Sequence, residues 1–103
     1  MTDLVHIMSL NAQGLRDFNK RTRLIQCLNY QTVDIVFLQE THFTTDLFNT
    51  LAVEFSNWSI YNAYGTSHNR GCSILINKLK DLEITDINLC TDGIYCLTNI
   101  TID

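Results

Sequence analysis

Glu40 and Asn11 are the residues whose types and positions could do chemistry. Glu40 follows the apolar run Ile35-Val36-Phe37-Leu38, which ends abruptly in Gln39, Glu40, Thr41 and His42. Asn11 follows a second strand-like run, Leu4 to Leu10. A carboxylate is costly to bury unless it is paired or coordinates a metal. In an open α/β sheet, ligands bind beyond the carboxyl ends of the strands. An amide and a carboxylate at neighbouring strand ends, about 4.8 Å apart, could converge on one cation or phosphate. On spacing alone the competing readings stay open: a strand-end carboxylate paired with a lysine or arginine, and a turn-forming asparagine.

The elements that must position these residues follow from the pattern. Leu4 to Leu10 reads as a strand, and Asn11-Ala12-Gln13-Gly14-Leu15 as a turn. His6 in that strand reads as a core or sheet-edge histidine. Asp17 or Asn19 caps a helix over 19–30, with Leu24, Ile25, Cys27 and Leu28 as its apolar stripe. Asp34 to Gln39 is then a strand buried on both faces. Strand, helix and strand make a βαβ unit with parallel strands, which puts Asn11 and Glu40 at the same end of the sheet.

The remaining pattern is a helix over 46–55, then a strand Trp58 to Tyr61. A polar loop over 62–71 leads to a strand over 71–76. Asp81 to Ile87 alternates as a half-buried antiparallel strand. Asp92-Gly93 signals a turn, and Tyr95 to Ile102 a last strand. The chain has no internal repeats.

Composition bounds the partners. The chain has 103 residues, 46% hydrophobic and 17% charged, which suits one packed domain. The net charge of −4 excludes a broad electrostatic footprint on nucleic acid, so any such contact is local. Arg16, Lys20, Arg21 and Arg23 are four of seven cations. They read either as a solvated loop and first helical turn or as a patch that holds a phosphate backbone. Cys27, Cys72, Cys90 and Cys96 match no zinc spacing and read as small buried residues. No signal peptide or membrane span is expected, so an intracellular setting is.

Two segments carry a resemblance: Ser9-Leu10-Asn11-Ala12-Gln13-Gly14-Leu15, and Leu38-Gln39-Glu40-Thr41-His42 about twenty-five residues later. Together they resemble the endonuclease/exonuclease/phosphatase superfamily. Within it, the chain looks like the apurinic-endonuclease-like domain of LINE-type retrotransposon polyproteins. The resemblance implies an α/β fold, the N-terminal half of a four-layered α/β sandwich of two packed sheets. It implies metal-dependent hydrolysis of a DNA phosphodiester, a nick that primes a downstream reverse transcriptase, and a nuclear location. Glu40 would be the metal ligand for Mg2+ or Mn2+, and Asn11 would order the scissile phosphate. Gln13, at a position acidic in some members and amide in others, and Arg16 would contact substrate.

The family's later motifs Asn-x-Tyr-x-Pro and Ser-Asp-His do not occur in these residues. The expectation is a partial domain over 1–103, lacking its C-terminal half and inactive alone. The absence of proline and a last strand running to Ile102 fit that expectation. None of His6, His42 and His68 matches the family's general base. The alternatives are a non-catalytic relic or interaction fragment, a phosphatase of the same superfamily, and a small βαβ domain with coincidental motifs.

Overall fold

The run Ile35–Gln39 forms the strand around which the other elements assemble. The computed structural model describes residues 4–101; Ile102, the expected end of the last strand, lies outside them. In chain order the elements are β1 (Ile7–Asn11), α1 (Phe18–Tyr30), β2 (Ile35–Gln39), a 3₁₀ turn (Thr45–Leu47) leading into α2 (Phe48–Glu54), β3 (Trp58–Ala63), β4 (Cys72–Asn77), β5 (Glu83–Leu89) and β6 (Cys96–Thr101). One sheet has the order β1-β2-β4-β3, and β5 and β6 form a second, two-stranded sheet. The fold is therefore mixed α/β with two sheets and two helices.

β1 and β2 are parallel, as a helical crossover between neighbouring strands gives, and Asn11 stands opposite Gln39. β4 runs antiparallel to β2 and to β3. The pleat of β2 sends alternate side chains to opposite faces. Val36 and Leu38 join Leu28, Phe43, Leu51, Phe55, Trp58 and Leu75 in the core on the helix side. Ile35 joins Ile74 and Ile76 on the other side, against Leu82 and against Ile84, Cys96 and Ile100 of the second sheet. This explains the unbroken apolar run: β2 has no solvent-facing side.

α1 is capped as its sequence predicts. The Asp17 carboxylate accepts from the Lys20 N–H at 2.9 Å, a contact that contributes ~1 kcal/mol. The buried stripe is Arg21, Leu24, Ile25 and Leu28, spaced as i, i+3, i+4 and i+7. Cys27 lies off this stripe and is exposed, which corrects the expectation of a buried thiol.

Three other boundaries differ for local reasons. β1 begins at Ile7 because the segment before it is held differently: the His6 carbonyl accepts from both Asp34 and Ile35 N–H, and the His6 N–H donates to the Asp34 carboxylate. The second helix starts as a 3₁₀ turn because Thr44 and Asp46 bond each other there. In β5 a bulge between Thr85 and Asn88, with Asp86 at φ +53°, breaks the alternation. Leu82 and Ile84 face the core, and Ile87 is turned outward and exposed.

Candidate functional site at the carboxyl ends of the first sheet

Glu40 is the residue at which β2 stops. Its φ is +54°, and His42 follows at +60°. Gln13 in the β1–α1 loop is at +52° and Arg70 before β4 at +66°. Four of the five non-glycine residues with positive φ, among those described, thus lie in the loops at one end of the sheet. A left-handed backbone costs a side-chain-bearing residue roughly 1–2 kcal/mol, and such strain concentrates at functional sites.

The strained loops hold one another by backbone hydrogen bonds. Gly14 N–H donates to the Glu40 carbonyl at 2.7 Å and Leu15 N–H to the Thr41 carbonyl at 2.8 Å. Thr41 N–H donates to the Gly71 carbonyl and His42 N–H to the Arg70 carbonyl, both at 2.9 Å. Thr41 is fully buried, and its hydroxyl accepts from Phe43 N–H at 3.3 Å. Glu40 therefore sits on a rigid three-loop junction.

The Glu40 side chain is 43% exposed. Its Oε2 accepts from Arg70 N–H at 3.1 Å and lies 3.3 Å from His42 Nε2. Among the described residues no hydrogen bond reaches Oε1. Glu40 is thus held by a backbone amide and an imidazole, without the lysine or arginine partner that a plain strand-end ion pair would need.

Gly14 makes the histidine contact sterically possible. A Cβ at Gly14 would lie 2.8 Å from His42 Nδ1, and its φ of +89° already favours glycine. The Asn-x-x-Gly spacing in the sequence thus seats the ring that reaches Glu40.

The other expected site residues fall around this junction. Asn11 is at the same sheet end, in register with Gln39. Its Oδ1 accepts from Gln13 N–H at 3.2 Å, the contact of a turn-forming asparagine. Gln13 is exposed. Arg16 donates to Thr44 Oγ1 at 2.6 Å and to the His42 carbonyl at 3.4 Å, and pairs with Asp46 at 3.5 Å. Asp46 is held below the usual carboxylate range, first by the Thr44 hydroxyl and also by the Arg16 charge.

The rest of the basic cluster does not form one surface. Lys20 Nζ donates to the Ala12 carbonyl at 2.6 Å. Arg21 is only 4% exposed and binds Glu54 through two nitrogens, at 2.6 and 3.1 Å. Only Arg23 of the four is exposed. His68 is exposed, and His6 pairs with Asp34 at 3.5 Å, as a sheet-edge histidine would.

The contribution of Arg70 and Gly71 is not readable from spacing, because Arg70 lies thirty residues beyond Glu40 in sequence. The only local signal is the Asn69-Arg70-Gly71 run, a turn composition. Among the described residues no group of three or more His, Cys, Asp or Glu side chains converges on one point. No helix there is long and apolar enough to cross a membrane. No protein-family model matches the chain.

Proposed function

We propose that this chain is part of a metal-dependent phosphodiesterase that nicks DNA, with Glu40 as its carboxylate ligand for Mg2+ or Mn2+. The observation that carries the reading is the Glu40 junction: a carboxylate at the end of a largely buried strand, fixed by strained loops, with one oxygen engaged and the other open.

The donor set fits a hard cation. Magnesium is commonly held by one or two carboxylates while keeping several waters. When bound, the ion would polarise a phosphoryl oxygen and stabilise a leaving oxygen. The chain's own contribution is orientation. Arg70 N–H and His42 hold Glu40 Oε2, which leaves Oε1 for the ion. The Asn11 amide nitrogen, with its oxygen taken by the turn, is free to donate to a phosphate. Gln13 flanks it from an exposed position, and Arg16 anchors the loop after Glu40. On this reading, residues 1–103 are the first half of a four-layered sandwich. The second sheet begins with β5 and β6, and the general base belongs to the other half.

One observation favours a second reading, a non-catalytic fragment or a phosphatase. Three of the four clustered cations are spent on internal contacts, which leaves little positive surface for a DNA backbone.

Plasmid nicking with magnesium, with and without chelator, separates the readings. It is run on this chain and on a longer protein that contains it. Chelator-sensitive nicking is expected of the longer protein and is expected to disappear in its Glu40→Gln variant. Full activity in that variant would overturn the ligand assignment, and no nicking by either protein would favour the second reading.

A further inference from the structure

Two of the four cysteines meet where the second sheet packs over the end of β4. Cys72 is the first residue of β4 and Cys96 the first of β6. Their sulfurs lie 3.4 Å apart, and Cys96 Sγ also lies 3.0 Å from the Cys72 carbonyl oxygen. A cleft of about 180 Å³ opens onto the pair, lined by Phe37, Gln39, Cys72, Ile94, Tyr95 and Cys96.

Nothing in the proposed hydrolysis uses these thiols. Two sulfurs in contact, on strands of different sheets and beside an open cleft, are a site for thiol–disulfide exchange. We propose that Cys72 and Cys96 form a redox pair that closes to a disulfide by exchange with small-molecule disulfides entering the cleft. A thiolate of the pair attacks one sulfur of the reagent, forms a mixed disulfide and expels a thiolate. The second cysteine, deprotonated, attacks the bonded protein sulfur and expels the other reagent thiolate. Two electrons pass from the cysteine pair to the reagent. The two protons that the cysteines lose convert both expelled thiolates to thiols.

Burial raises both thiols of the pair, Cys96 to about 12. The pair is therefore slow, since the thiolate is the nucleophile. Cys90 is lowered by the backbone N–H groups of Asp92, Ile94 and Tyr95. Closing the bond would tie β6 to the residue after Gly71. Gly71 donates to the Gly93 carbonyl at 2.8 Å and accepts from Thr41, so the staple would sit one residue from the Glu40 junction.

The test is equilibration of the purified chain in mixtures of reduced and oxidised glutathione, then acid quench, alkylation and tryptic mapping. Lys78 and Lys80 lie between the two cysteines, so the bond joins two peptides. The Cys90→Ser variant leaves Cys96 as the only cysteine of the second peptide. The expected result is a crosslink between these peptides, lost in Cys96→Ser, where Cys72 instead carries glutathione. Cys72 and Cys96 remaining free while Cys27 is glutathionylated would overturn the proposal. So would separate glutathione adducts on both without a crosslink.

Discussion

Arg21 is a cation that solvent scarcely reaches. Its side chain is 5% exposed and that of its partner Glu54 16%. The Leu15 and Arg16 carbonyls take its remaining nitrogen at 3.2 and 2.6 Å. Removing one member of such a pair leaves the other charge uncompensated, which typically costs about 3–5 kcal/mol. Arg21→Met is therefore expected to destabilise by about 3 kcal/mol in urea unfolding. Arg21→Met combined with Glu54→Leu is expected to cost less than the single change; an additive loss would mean that the pair is not the cause. Asp46 makes a pH-dependent case. Its folded pKa lies below the ordinary 3.8, chiefly through the Thr44 hydroxyl. A depressed carboxylate adds stability that is fully present above the unfolded value and lost as pH falls through the folded one. Its contribution therefore disappears only below about pH 3.8. Thr44→Val is expected to move the Asp46 titration, followed by carboxyl NMR shifts, up toward 3.8; an unmoved midpoint would mean that the Arg16 charge and the backbone set it.

Elements differ in how much of them the sequence announces. Ile35-Val36-Phe37-Leu38 declares a doubly buried strand because β2 lies between β1 and β4 with cores on both faces. Asp17 declares the start of α1 because a cap is a local bond. The junction around Glu40 is legible only in part. The strand end and the Asn-x-x-Gly turn are local, whereas Arg70 and Gly71 arrive through sheet pairing. The basic cluster misleads for the same reason, since Glu54 is thirty-three residues from Arg21. Gly71 tests the junction as an element. Its φ is +88°, and a Cβ there would lie 2.5 Å from Thr41 Oγ1 and 3.1 Å from His42 N. Gly71→Ala is expected to destabilise by roughly 2 kcal/mol or more, through left-handed strain and a clash that buried Thr41 cannot relieve. The measurement is the shift in denaturation midpoint; a change within error would mean that the Thr41 segment yields, and that the junction is softer than its hydrogen bonds imply.

At the scale of the molecule, the two sheets are unequally secured. The β1-β2-β4-β3 sheet has the helix-side core on one face and the second sheet on the other. The β5–β6 hairpin is held through one face only, by Ile84, Cys96 and Ile100. Leu97 on its other side is exposed, and so are Ile87 and Leu89. A two-stranded hairpin is marginal without packing support, and segments with few buried contacts open at lower free energy than the core. Native-state hydrogen exchange is therefore expected to divide the chain. Amides of β2 and β4 should exchange only with global unfolding, and those of β5 and β6 through a smaller opening. Ile100→Ser should speed exchange in β5 and β6 well before it affects β2. Oxidation of Cys72 and Cys96 should slow the hairpin toward the rate of β4, because the staple removes the separate opening. Equal protection of both sheets in the reduced protein would instead mean that they unfold as one unit, with the interface through Ile74 and Ile84 as strong as the ladders themselves.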